Sequence, residues 1–309
     1  MLKDLIASIK AQDFPQDQIE ILVITEGDSE QAKAIGIRRA QGEICAMFCA
    51  DNYLVSKHTF ASVYKEFTHF PIAATYGRFY HYDKNENSLN RYFSLIGGND
   101  VICFYLGKND RKPYYEQTDA MDEMMWFRDR LIPSLGCNGT FINRKQWLEN
   151  SNLDHYYPMD AAVDVIKNSA ALFSRRNVAD IWHRTSDNLI SFLTKRYKYA
   201  CSLYCDRQDR RWKMVDGAED YWRLLLFITS TLSIIPAVWI SIRGFSKVRD
   251  WAWFWHWPVC LGFLITYGLL TCRNVLKRLS LFLRTGDRQY WKSALNPFAP
   301  LASPTTRSS

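Results

Sequence analysis

A chain of 309 residues with a net charge of +7 has room for one sizeable α/β domain plus an appendage. Its hydrophobic share of 48%, with 11 Trp, 17 Tyr and 18 Phe, is rich for a soluble enzyme and comes from two apolar stretches near the carboxyl end. The eight cysteines include no Cys-x-x-Cys pair and the six histidines are scattered, so no metal or disulfide framework is encoded and buried reduced thiols are expected; no aromatic-basic signature of a nucleic-acid module occurs, and no nucleic-acid partner is expected.

Leu2, Leu5, Ile6 and Ile9 recur at helical spacing, and Gln12-Asp13-Phe14-Pro15 supplies the stop. An apolar strand is expected over 19–24, running into the turn Thr25-Glu26-Gly27-Asp28. A short helix follows, then Gly42-Glu43, then a second strand over 44–48 ending at Ala50-Asp51-Asn52. In an open α/β sheet, ligands sit beyond the carboxyl ends of the strands. Acidic groups delivered there suit a nucleotide sugar and its divalent metal, because carboxylate oxygen is the hard ligand that Mg²⁺ or Mn²⁺ prefers. A helix over 57–67 and a strand over 71–80 come next. The aromatic segment 90–112 is broken twice, at Gly97-Gly98-Asn99-Asp100 and at Gly107-Lys108-Asn109-Asp110.

Residues 224–242 contain no charge over 19 positions and 251–272 none over 22, each close to the ~20 residues that cross a hydrocarbon core. Tryptophans 222, 239, 251, 253, 255 and 257 gather near the ends, as interfacial aromatics do. Two transmembrane helices are therefore expected, with Pro236 and Pro258 tolerated inside them. Lys and Arg are more numerous before the first span and after the second than between them, which places both ends on the cytoplasmic face. Anionic lipid headgroups then account for the positive charge. Residues 275–284 interleave Leu and Phe with Lys and Arg, a pattern for a helix lying in the interface, and the Pro/Ser/Thr-rich end is expected to be disordered.

The ordered set in 17–55 resembles family 2 glycosyltransferases, the inverting, nucleotide-sugar-dependent enzymes of the GT-A fold. Their pattern is strand, Asp-Asp-Gly turn, a helix with Arg-Asn-x-Gly, Gly-Glu, strand, Asp-x-Asp. Here Thr25-Glu26-Gly27, Lys33-Ala34-Ile35-Gly36, Gly42-Glu43 and Cys49-Ala50-Asp51 stand at those places. Thr25 and Cys49 each replace a carboxylate, and Lys33 replaces an arginine. The strand that usually precedes the first helix is absent, and an incomplete amino terminus is expected. The resemblance implies an α/β GT-A mixed-sheet domain over 1–205. A basic juxtamembrane segment (206–223), two transmembrane helices (224–242 and 251–272) and a basic interfacial helix with its tail (273–309) would follow.

The resemblance also implies roles. Asp51 is the metal ligand, and Glu26, Lys33, Ala50 and Gly139 line the nucleotide-sugar site. Gly139 belongs to the stretch 133–144, whose glycine lets backbone approach a ligand closely. Tyr92, Phe93, Phe104 and Tyr105 fall in the variable acceptor zone, where they form core or face a lipid-linked acceptor. In Tyr157-Pro158-Met159-Asp160-Ala161-Ala162-Val163-Asp164, Asp160 aligns with the base that deprotonates the acceptor hydroxyl, and Asp164 is the alternative. His183 binds metal or phosphate. The processive signature Gln-x-x-Arg-Trp is placed at Lys195-Arg196-Tyr197-Lys198-Tyr199, where Arg196, Lys198 and Tyr199 would meet the diphosphate or the acceptor. The implied cofactor is Mg²⁺ or Mn²⁺, the donor a UDP- or GDP-linked sugar, and the acceptor a lipid-linked or glycan hydroxyl. The alternative is a non-catalytic GT-A-like membrane scaffold or binding subunit.

Overall fold

The computed structural model describes residues 1–117, 121–127, 132–154, 156–202 and 210–288. A five-stranded mixed sheet occupies the centre, in the order β1 (Ile44–Met47), β5 (Thr140–Asn143), β3 (Ile72–Gly77), β6 (Leu172–Arg176), β4 (Glu123–Trp126). Only β3 and β6 run parallel; the other three pairings are antiparallel. The middle strand β3 is buried along its whole length, which suits its small and aromatic run Ile72-Ala73-Ala74-Thr75-Tyr76. A separate two-stranded sheet pairs β2 (Asn52–Leu54) with β7 (Ile181–His183), and its register sets Asn52 opposite His183.

Local chemistry explains most boundaries. Helix α1 (Leu2–Lys10) buries Leu5 and Ile9, and the Gln12 amide beyond its end donates to the carbonyl of Ser56 at 2.8 Å. Helix α2 (Ser29–Arg39) opens with a reciprocal cap: Asp28 accepts from the N–H groups of Glu30 and Gln31, while the Gln31 side chain accepts from the Asp28 N–H. Helix α3 (Thr59–His69) leads into β3. The two glycine breaks occur as expected, with Gly97 (φ 74°) ending α4 (Ser88–Ile96) and Gly107 (φ 69°) ending α5 (Val101–Leu106) in the left-handed conformation.

The hydrophobic interior has two main parts. One lies against the sheet, where Ala34 and Ile37 of α2, Trp147 of α6 (Arg144–Asn150) and Ala161, Ala162 and Val165 of α7 (Pro158–Asn168) meet Ala74, Tyr76 and Phe173. The other joins α4 and α5 to α8 (Leu189–Cys201), α9 (Ala218–Ser233) and α11 (His256–Thr285). Tyr92 and Phe93 are buried in this second part, with Phe104 and Tyr105 packed against it, so the aromatic segment is core.

Three expectations are corrected. Residues 19–24 form no strand, and Ile21, Leu22 and Val23 are 36%, 41% and 52% exposed. An apolar run becomes a strand only when a neighbour completes its ladder, and β1 pairs with β5 alone. Secondly, the stretch expected as the first span is two helices, α9 and α10 (Ile235–Lys247), bent by 93° at Ile234. Pro236, in the first turn of α10, has no N–H to continue the earlier helix and its ring excludes the carbonyl four residues back. Thirdly, α11 runs unbroken to Thr285, so residues 275–284 continue the second apolar stretch rather than forming a separate interfacial helix. The tail from 289 lies outside the described residues.

Trp251–Thr285 is the one straight stretch long and apolar enough to cross a membrane among the described residues. It is also two-faced. His256, Val259, Cys260, Phe263, Tyr267, Leu270, Asn274 and Arg278 are buried at helical spacing, whereas Ile265, Leu269, Leu276 and Leu283 are exposed. The connection before it is tied to the α/β domain. Arg91 donates to both oxygens of Asp250, from Nε at 2.8 Å and Nη2 at 3.1 Å, and the Trp255 indole donates to Ser88 Oγ at 2.8 Å. These contacts hold the connection against the α/β domain.

Candidate active site

The turn after β1 and the end of β7 bring Asp51 and His183 together. Pairing of β2 with β7 is extended by the Arg184 N–H, which donates to the Asp51 carbonyl at 3.0 Å. This places Asp51 Oδ2 at 3.7 Å from His183 Nε2. His183 is buried, while Asp51 is one-third exposed. Burial alone would raise the Asp51 carboxyl, but the neighbouring His183 imidazole, aided by Lys195 of α8, holds it below the usual carboxylate range. Among the described residues no cluster of three or more His, Cys, Asp or Glu side chains is arranged to hold a metal. One carboxylate and one imidazole nonetheless fit Mg²⁺ or Mn²⁺ where substrate phosphates complete the coordination.

Lys33 on α2 makes a second group. Its ammonium lies 2.8 Å from Glu30 Oε1 and is nearly buried. Burial opposes the charge, yet Cys137, Glu30 and Cys49 raise the Lys33 pKa far above its ordinary value. Cys49 and Cys137 place their sulfurs 2.7 Å apart. Their hydrogen bond favours the Cys137 thiolate against burial, with Lys33 assisting, and disfavours the Cys49 thiolate. Tyr199, at the end of α8, lies in the field of the same Glu30, Lys33 and Cys137.

Asp160 and Asp164 form the third group, one turn apart on α7. Asp160 is 1% exposed; it accepts from Arg210 Nε at 2.6 Å and from the Trp212 N–H at 2.7 Å. Arg210 also lies over the Tyr157 ring, 4.2 Å from its centroid. Asp164 pairs with Arg211 Nε at 2.6 Å and accepts from the Asn152 N–H at 3.1 Å. Both carboxylates are thus held by the segment 210–212, and each Asp160 oxygen keeps lone-pair capacity beyond its one bond.

The remaining expected residues sit elsewhere. Glu26 is exposed and pairs with both terminal nitrogens of the Arg39 guanidinium, at 2.8 and 2.9 Å, which hold its carboxyl below the usual range. Ala50 occupies the exposed turn beside Asp51. Gly139 adopts φ 69°, and a Cβ there would stand 2.3 Å from Ile181 Cγ1, so its missing side chain admits β7 rather than opening to a ligand. Arg196 is turned inward, donating to the Asn99 carbonyl at 2.6 Å and lying over the rings of Phe192 and Phe263. Lys198 is exposed.

Arg210, Arg211 and Trp212 were not among the expected site residues, although the sequence spells their signature. Gln208-Asp209-Arg210-Arg211-Trp212 is a literal Gln-x-x-Arg-Trp, thirteen positions after the stretch to which that signature was assigned. Gln208 and Asp209 fall outside the described residues, but the other three reach the proposed base and its neighbour. Lys195, whose charge acts on Asp51, stands at the first position of the stretch given that signature, although it was not itself expected at the site.

No protein-family model matches the chain, and no curated protein matches it. Among solved structures the chain is similar to residues 1–349 of TarS from S. aureus, with a TM-score of 0.41 at 13% identity over 96% of this chain and 87% of that one.

Proposed function

We propose that this chain is a membrane-anchored glycosyltransferase that moves a sugar, with inversion, from a nucleoside-diphosphate donor to a lipid-linked or glycan hydroxyl. The observation that carries the proposal is the contact between the two ends of the motif set: the literal Gln-x-x-Arg-Trp segment holds Asp160 through Arg210 and the Trp212 N–H. The resemblance assigns the base and that signature to one reaction, and they lie 50 residues apart in sequence. Asp51 and His183 would hold Mg²⁺ or Mn²⁺, which when bound neutralises diphosphate charge. Lys33 attracts the donor phosphates as a fixed buried cation, Asp160 takes the acceptor proton as the hydroxyl oxygen attacks, and Arg210 with the Trp212 N–H sets the orientation of its carboxylate. Exposed Leu225, Leu226, Ile235, Trp239, Ile265 and Leu269 on α9, α10 and α11 contact lipid, with the domain on the cytoplasmic face where nucleotide sugars are made.

One observation favours the alternative, a GT-A-like membrane binding subunit without turnover: both Asp160 oxygens are engaged and the residue is closed to solvent. The deciding experiment presents purified chain, with Mn²⁺, to a panel of UDP- and GDP-sugars and follows nucleotide release. Turnover by the wild type, falling ~10²-fold or more in a folded Asp51→Asn variant, supports the enzyme, on the scale of a lost electrostatic stabiliser. Donor binding with no release for any sugar supports the binding subunit.

A further inference from the structure

The Cys49–Cys137 contact is absorbed by none of the roles above. Eight cysteines arranged without a local motif give no reason to expect a functional pair, and these two lie 88 residues apart in sequence. The fold nevertheless delivers both to one point. Cys49 follows β1 and Cys137 precedes β5, and the antiparallel register of these strands (Met47 opposite Thr140) carries the two flanking segments side by side. Each segment is fixed by its own hydrogen bonds. The Cys49 N–H donates to Asn52 Oδ1 at 3.2 Å. The Gly139 N–H donates to the Cys137 carbonyl at 3.0 Å, and Thr140 Oγ1 donates to the Gly136 carbonyl at 3.0 Å. The sulfurs are 2.7 Å apart, both residues are partly exposed, and both are free thiols. By contrast Cys45, Cys103, Cys201 and Cys260 are buried.

From this geometry we infer that Cys49 and Cys137 form a dithiol modification site that small disulfide oxidants of the glutathione class convert reversibly to an intramolecular disulfide. One thiol loses its proton to solvent and its thiolate attacks a sulfur of glutathione disulfide, breaking that S–S bond and releasing one glutathione thiolate. The second thiol, deprotonated in turn, attacks the protein-bound sulfur of the mixed disulfide and releases the second glutathione. The two protons lost by the cysteines end on the two glutathiones, so one oxidant molecule is reduced for each protein disulfide formed. The product covalently joins the Ala50-Asp51 turn to the loop before β5. It forms whether or not the chain transfers sugar, so its test does not depend on activity.

The test incubates the 309-residue chain in detergent with excess glutathione disulfide, alkylates the remaining thiols after denaturation and maps the peptides by mass spectrometry. The expected result is one peptide pair linking Cys49 to Cys137 and restored by dithiothreitol, with Cys45 still alkylated and the exposed Cys272 carrying at most a mixed disulfide with glutathione. In Cys49→Ser protein, checked for an unchanged circular-dichroism spectrum, Cys137 should stop at the mixed disulfide with glutathione and no linked pair should appear. Full recovery of both wild-type thiols as alkylated cysteines overturns the inference. So does a link from either one to a third cysteine, or glutathione remaining on both.

Discussion

At the residue scale the site depends on contacts that distant segments make with a few side chains. Asp160→Asn keeps an oxygen for the Trp212 N–H but removes the basicity needed to take a proton. We expect transfer to fall by roughly 10²- to 10⁴-fold while donor binding stays near normal. Arg210 also loses its ionic partner, so the melting temperature should drop as well. A merely structural Asp160 would lower the melting temperature and leave turnover per folded molecule intact, which decides between the roles. Gly139 offers a test of packing. Gly139→Ala meets both a left-handed backbone, costing about 1–2 kcal/mol, and overlap with Ile181, costing about 1–3 kcal/mol. Adding Ile181→Ala removes the overlapping atoms, so the double variant should be more stable than the sum of the single losses implies, by about 0.5–3 kcal/mol in urea titrations. Strict additivity would mean the loop shifts away from β7 without loss.

At the element scale, what could be read from the sequence was what each segment decides for itself. The glycine breaks at Gly97 and Gly107 and the helical spacing of α1 are local and appear where the residues place them, with Leu5 and Ile9 of that spacing buried and Leu2 exposed. The β1 turn that presents Asp51 was legible for the same reason. Residues 19–24 were not, because strand formation belongs to a pair, and neither hydropathy nor β-propensity names the partner. Nor was the Asp160–Arg210 contact, since spacing along the chain says nothing about which cation closes over α7. The bend between α9 and α10 was half legible: Pro236 marks it, but uncharged length argued for continuity. Ile234 holds φ 64° at that bend, the one non-glycine residue with positive φ among those described. A β-branched side chain there costs about 1–3 kcal/mol, so Ile234→Gly should raise the melting temperature in detergent. A lower value would show that the packing of Ile234 outweighs its backbone strain.

At the scale of the whole molecule, the question is how a chain with so much apolar helix meets a membrane. The buried stripe of α11 packs along α8, with Gly262 so close to Leu193 that a Cβ would stand 2.5 Å from its Cδ1. One face of the helix therefore belongs to the domain, and only the other, through Ile265, Leu269, Leu276 and Leu283, is free for lipid. The connection before α11 is docked by Asp250 and Trp255 onto Arg91 and Ser88. Together these favour a chain that lies against one leaflet, its exposed apolar faces buried in the interface, over a hairpin that crosses it. In sealed vesicles displaying the domain outward, a membrane-impermeant maleimide should label Ser246→Cys as readily as Asp187→Cys, since both side chains are exposed and the 248–255 connection stays beside the domain. Leu269→Lys should weaken vesicle binding without unfolding the chain, because it places a charge on the lipid-facing stripe and leaves the packed one untouched. Protection of Ser246→Cys while Asp187→Cys is labelled would restore the crossing hairpin and require the Arg91–Asp250 contact to open in the membrane.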